Sequence, residues 1–155
     1  MKTIILYATK YGAAAEIAGR IANKIEGAVI HNLKQNAPSL SDFDCVIFGS
    51  SVYAGSIRKE AKAFLTQNAA ALLEKKFGLF LCGIGEEGAR TYFNANFSKD
   101  ILEKTKATCF PGGIFDPKKT NRFERFLLKM VAKQSAYTNT IDDTKIEQFV
   151  KEMKS

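Results

Sequence analysis

Apolar positions in this chain come as short continuous runs, each ending in small or polar residues. Thr3–Ala8, Cys45–Gly49, Phe77–Gly83 and Ala107–Gly113 share this form. It is the form of parallel strands covered on both faces, since a half-exposed strand would alternate apolar with polar positions. Ala28–Asn32 reads as a weaker strand. After the first run the period changes. Ala14, Ala18 and Ala22 recur with Ile17, Ile21 and Ile25 at helical spacing, while Arg20 and Lys24 fall on the opposite face, which predicts a crossover helix. Further helices are predicted over Ile57–Ala70, Phe93–Lys104, Asn121–Lys133 and Asp142–Met153, the last opened by Asp142 as a cap. Strands and helices in this alternation predict an α/β fold, an open parallel sheet with helices on both faces. No repeat, linker or second domain interrupts it, so residues 1–155 read as a single domain.

Composition narrows the class without changing that picture. A chain of 155 residues, 46% apolar and 25% charged, has the balance of one soluble globular domain. Cys45, Cys82 and Cys109 form no Cys-x-x-Cys unit and no metal knuckle with His31, the sole histidine. They read as reduced thiols in strands, hence a cytoplasmic protein. Met1-Lys2-Thr3 does not open a signal peptide, and no apolar run is long enough to span a bilayer. The net charge of +7 favours an anionic ligand, an acidic partner or an anionic membrane surface. Nucleic acid is not expected, because the basic residues are scattered and no aromatic RNA-binding motif accompanies them.

In a parallel sheet the loops that leave the carboxyl ends of the strands converge where the strand order reverses, and ligands bind there. Thr9–Ala14 offers successive backbone N–H groups at a helix start, the Thr9 hydroxyl, and Gly12 for a sharp turn. A phosphate monoester suits it, although a plain strand-to-helix turn has the same pattern. The Walker sequence is missing, which argues against an ATPase. Ser50–Ser56 combines hydroxyls, Tyr53 and Gly55 just after a buried strand. That mix suits a flat polar ring stacked on Tyr53, or else a half-buried surface aromatic. Gly83-Ile84-Gly85-Glu86-Glu87-Gly88 matches Gly-x-Gly-x-x-Gly literally. It is rejected as a dinucleotide fingerprint: it follows the fourth strand and not the first, and Glu86 and Glu87 would oppose a pyrophosphate. It reads instead as a backbone loop beside the ring's polar edge.

Three stretches together resemble the flavodoxin-like superfamily over nearly the whole chain: Tyr7-Ala8-Thr9-Lys10-Tyr11-Gly12, Phe48–Gly55, and Gly112–Asp116 leading to Asn121–Phe126. The nearest branch is the flavodoxin-domain group that includes menaquinone-dependent protoporphyrinogen oxidases. The resemblance implies a three-layer sandwich around a five-stranded parallel sheet in order 2-1-3-4-5, binding FMN without covalent attachment. Thr9, Lys10, Tyr11, Gly12, Ala13 and Ala14 would face the phosphate. Ser50, Ser51, Val52, Tyr53, Ala54 and Gly55, with Gly83, Ile84, Gly85, Glu86 and Glu87, would frame the isoalloxazine. The family usually has a hydroxyl where this chain has Ala14, so one phosphate hydrogen bond, worth about 1–3 kcal/mol, is lost. Glu86 and Glu87 would lower the flavin potential, and Gly55 would let its loop adjust when the flavin N5 gains a proton.

Two functions follow from the resemblance. One is an FMN-binding redox protein that exchanges electrons with a protein partner. The other is an oxidase-like enzyme passing electrons to a quinone at the inner face of the membrane. Asn121–Lys133 bears on the choice, because Phe123, Phe126, Leu127, Met130 and Val131 form an apolar stripe among Arg122, Arg125, Lys129 and Lys133, with Lys118 and Lys119 just ahead. Such a helix suits a membrane surface or anionic partner, and equally a core-facing position. The oxidase branch carries a longer insertion near its last strand than Gly83–Phe110 can hold, and typical flavodoxins are acidic where this chain is basic. No catalytic side chain and no metal ligand is assigned.

Overall fold

The first strand, β1 (Thr3–Ala8), carries Ile4, Ile5 and Leu6 with none of their surface exposed. Three consecutive buried residues require cover on both faces, and the fold supplies it. The computed structural model describes residues 1–85, 88–122, 126, 129 and 136–155. After β1 come α1 (Ala13–Ala22), β2 (Val29–Asn32), β3 (Cys45–Tyr53), β4 (Ser56–Ile57), α2 (Lys59–Leu73) and β5 (Lys76–Cys82). Then follow α3 (Ala89–Asn96), α4 (Lys99–Lys104), β6 (Ala107–Cys109), β7 (Ile114–Phe115), β8 (Thr138–Asn139) and a last helix, α5 (Asp143–Lys154). The main sheet runs β2-β1-β3-β5-β6, with all four pairings parallel, and β4 folds back antiparallel on the end of β3. With β4 set aside, this is the five-stranded 2-1-3-4-5 order that the resemblance implies.

Alternate residues of the central strands feed two separate cores. Ile4, Leu6, Val46, Phe48, Leu79 and Leu81 pack with Ala61, Phe64 and Leu65 of α2, Phe93 of α3 and Ile101 of α4. Phe48 stacks on Phe64 at 5.9 Å and takes the edge of Phe97 at 6.1 Å. On the other face Ile5, Cys45, Ile47 and Phe80 meet Ile17 and Ile21 of α1 and Phe149 and Met153 of α5. The two helices on that face are also linked at the surface, Arg20 to Asp143 at 3.1 Å and Lys24 to Glu147 at 3.2 Å. Those pairs are solvated and add little; the apolar stripe holds the helices down.

Several elements differ from the sequence expectation, each for a visible reason. The second helix starts at Lys59 because Ser56 and Ile57 pair back onto Tyr53 and Val52. The helix expected over Phe93–Lys104 is two helices: Phe97 turns extended and Ser98 caps α4, its hydroxyl accepting from Ile101 N at 3.3 Å. The last strand of the sheet stops at Cys109, two residues before Pro111, which lacks a ladder N–H. Gly112, at φ 108, then redirects the chain into β7, which pairs antiparallel with β8, a ribbon the sequence did not signal. Asp142 caps α5 as expected, its carboxylate accepting from Thr144 N at 2.9 Å. The helix expected over Asn121–Lys133 lies outside the described residues, apart from Asn121, Arg122, Phe126 and Lys129, all four exposed. Among the described residues no helix is long and apolar enough to cross a membrane.

All three cysteines are buried and free. Burial pushes the thiols of Cys82 and Cys109 up to about 12 from an ordinary 9.0, so they stay protonated and inert at neutral pH.

At the centre of the sheet Gly49 lies opposite Phe80, whose ring occupies the space a Cβ on Gly49 would need. Only glycine leaves room for that ring beside β3. Gly49→Ala is therefore expected to cost about 1–3 kcal/mol through overpacking, read as a lower urea midpoint at unchanged slope.

Candidate functional site

The parallel register sets the site's location. Ala8 lies opposite Ser50, and Ser51 opposite Cys82, so β1, β3 and β5 all end at one edge of the sheet. The segments that follow them meet there, as the sequence expectation requires.

In the first segment the Thr9 hydroxyl oxygen accepts from Gly12 N at 2.9 Å, which closes a tight turn. Gly12, at φ 103, is the N-cap of α1, and no side chain caps the helix. Its first turn opens with Ala13-Ala14-Ala15, whose N–H groups have no acceptor within the helix, and includes Glu16, whose carboxylate accepts from Arg20 Nε at 2.9 Å. Ala13 and Ala14 are buried against the sheet. The backbone N–H of Lys10 donates to Ser51 Oγ at 3.1 Å, tying the first segment to the second. The Lys10 ammonium lies over the Tyr53 ring, 3.5 Å from its centroid, and 5.3 Å from that of Tyr11. Its place beside the aromatic of the second segment is a cation–π contact.

The second segment is not a loop but the end of β3 and a two-residue hairpin into β4. Ala54 at φ 49 and Gly55 at φ 79 are the turn residues, both with the positive φ that such a hairpin needs. Left-handed alanine costs about 1 kcal/mol, so the turn must be held from outside. Asn96, the last residue of α3, does this. Its amide nitrogen donates to Gly55 O at 2.9 Å and to Tyr92 O at 2.8 Å, and its oxygen accepts from Ile57 N at 3.0 Å. Ser50, fully buried, donates to Ser51 O at 2.9 Å and accepts from Arg58 N at 3.0 Å.

The third segment leaves β5 at Cys82. Gly83 N donates to Gly112 O at 3.1 Å, and Gly113 comes so near that a Cβ on it would lie 2.8 Å from the Gly83 carbonyl. Ile84 is half-buried and Gly85, at φ 87, is exposed. Glu86 and Glu87 lie outside the described residues.

These segments surround a cavity of about 380 Å³. Lys10, Tyr11 and Ala13 line it from the first segment, Ser51, Val52, Tyr53, Ala54 and Gly55 from the hairpin, and Gly83 and Ile84 from the third. Thr9, Gly12, Ala14, Ser50 and Gly85 are not among its lining residues. Cys82, Tyr92, Ile114 and Phe115 complete the wall and were not anticipated. Ile114 and Phe115 sit in one of the stretches that carry the resemblance, which was the available signal; nothing near Tyr92 in the sequence marks it. A further residue missed is Lys119, whose ammonium lies 3.8 Å from the position of a Cβ on Gly12. Among the described residues no cluster of side chains is arranged to hold a metal ion. His31 is remote in role: on β2, it contacts Gln35 O at 3.2 Å.

A parallel 2-1-3-4-5 sheet with a turn-and-helix seat beside an aromatic-walled cavity defines a class, and comparison with known proteins agrees. Residues 4–142 match the flavodoxin domain family, and the chain belongs to that family. By class it is a flavodoxin-domain protein. Among solved structures, a short-chain flavodoxin associated with a non-canonical PDU bacterial microcompartment is similar at 18% identity and TM-score 0.60, over 99% of this chain and 97% of that one. A flavoprotein from Lactobacillus acidophilus, solved in complex with FMN, is similar at 17% identity and TM-score 0.50, over 72% and 90%. A flavodoxin from the domain Archaea is similar at 14% identity and TM-score 0.50, over 86% and 98%. Among curated proteins none matches the chain.

Because Asn96 bonds to the turn and to β4, Asn96→Ala leaves Gly55 O and Ile57 N without their partner. The expected loss is about 1–3 kcal/mol, read by urea denaturation, with faster protease nicking at Ala54-Gly55 than in the parent protein.

Proposed function

We propose that this chain holds FMN with its phosphate at the N-terminus of α1 and its ring in the cavity between the β3–β4 hairpin and Gly83–Ile84, and exchanges electrons with a protein partner. The observation that carries the reading is an uncapped helix start opening beside an aromatic-walled cavity of about 380 Å³, both at the carboxyl edge of a parallel sheet. The residues fit the group. The N–H groups of Ala13–Ala15 point out of the helix as donors for an anion. Tyr53 offers a ring face for stacking, and the Ser51–Gly55 backbone offers donors and acceptors for a polar ring edge. Bound there, the flavin supplies the redox chemistry. The protein's share is orientation, exclusion of water by Tyr11, Tyr92 and Phe115, and the charge around the ring, to which the Lys10 ammonium contributes. With a net charge of +7, an acidic partner is favoured.

The first experiment is whether the purified protein is yellow and releases FMN on denaturation. Colourless protein that also fails to take up added FMN overturns the reading.

A quinone-linked role at the inner face of the membrane, as in the protoporphyrinogen oxidase branch, has one observation in its favour. Phe126 is 58% exposed, and Arg122 and Lys129 are exposed with it. If that role is correct, the protein co-sediments with anionic vesicles, Phe126→Ser abolishes most of the binding, and added quinone reoxidises the reduced flavoprotein faster in the presence of vesicles. Equal recovery with neutral and anionic vesicles leaves the protein-partner reading alone.

A further inference from the structure

Lys119 lies more than a hundred residues beyond Gly12 in sequence, yet its ammonium reaches the start of α1. The turn that carries it is pinned locally. Lys118 N donates to the Asp116 carboxylate at 2.9 Å, Lys119 N to Asp116 O at 3.0 Å, and the buried Thr120 donates through its hydroxyl to Pro117 O at 3.3 Å. From there Nζ comes to 3.8 Å from the position a Cβ on Gly12 would take. Gly12 is the N-cap of α1, where the helix carries about half a positive elementary charge. No side chain caps it, the first turn contains no hydroxyl, and the carboxylate in that turn, Glu16, is paired with Arg20. Among the described residues no carboxylate pairs with the Lys119 ammonium. Two positive poles brought this close repel each other unless an anion lies between them. A phosphate monoester, with about −1.5 to −2 charges and three acceptor oxygens, satisfies both at once.

We propose that Lys119 is a phosphate-binding residue of the flavin site, closing the seat from the side opposite the α1 N–H groups, so that the protein selects a flavin bearing a phosphate over one without it. This rests on the FMN reading given above. The cation supplies the electrostatic hold that a first turn with no hydroxyl and no basic side chain lacks.

FMN and riboflavin are titrated by quenching of flavin fluorescence into the cofactor-free parent protein and into Lys119→Met, Lys119→Arg and Lys118→Met. Lys119→Met is expected to weaken FMN about 10- to 100-fold, the size of a charge-assisted hydrogen bond, and to leave riboflavin unchanged. Lys119→Arg keeps most of the FMN affinity, and Lys118→Met, at an exposed neighbour, alters neither ligand. Added salt weakens FMN binding in the parent protein more than in Lys119→Met. Melting of the cofactor-free variants in phosphate-free buffer is unchanged, because Lys119 is exposed. Equal losses for FMN and riboflavin, or no loss for FMN, overturn the role of Lys119 while leaving the cofactor reading intact. A parent protein that takes up no FMN overturns both.

Discussion

The parallel pairing of β1 with β3, in register from Thr3 opposite Cys45 to Ala8 opposite Ser50, is the constraint on which the rest of the molecule depends. Strands that run the same way end at the same edge, so the chain has to leave both there and cross over a face to return. That one fact places the Thr9 turn beside the Ser51 hairpin and makes the bond from Lys10 N to Ser51 Oγ reachable. It also demands cover on both faces. Ile4 and Leu6 look one way and Ile5 the other, and neither core survives without its helices.

Much of this was legible in the sequence, because buried parallel strands leave a signal that few other elements imitate. The runs at Thr3–Ala8, Cys45–Gly49 and Phe77–Gly83 mark β1, the buried part of β3, and β5, and the alanine and isoleucine spacing marks α1. Asp142 announced its own helix by a cap. What stayed hidden was structure set by contacts distant in sequence. The Ser50–Ser56 stretch, rich in hydroxyls and glycine, has the composition of a loop, and nothing local reveals that Val52 and Tyr53 continue the strand to pair with Ile57 and Ser56. Ala54 in a left-handed conformation is disguised in the same way, since its usual occupants are glycine and asparagine. The break between α3 and α4 is carried by Ser98, a capping residue inside an otherwise helical pattern.

The candidate site divides along the same line. Its residues in the first three segments were identified because they follow strong strands. Tyr92, Ile114 and Phe115 enter the cavity wall only through tertiary packing, and Lys119 reached the first turn only once the chain had doubled back through β7. In the sequence Lys119 reads as one more cation ahead of a basic helix. Asn96 illustrates the opposite case: an unremarkable helix end that fastens a strained hairpin through two hydrogen bonds.

The Thr9 hydroxyl, in accepting from Gly12 N, has a consequence for timing as well as geometry. A turn kept in shape by its own side chain does not have to be organised by whatever arrives. The ordering entropy of that segment is settled when the protein folds, leaving recognition at the helix start to charge and donor count. Exchange of one acceptor for another at Gly12 N is then a χ1 rotation of the Thr9 side chain, a motion of picoseconds to nanoseconds rather than a loop rearrangement.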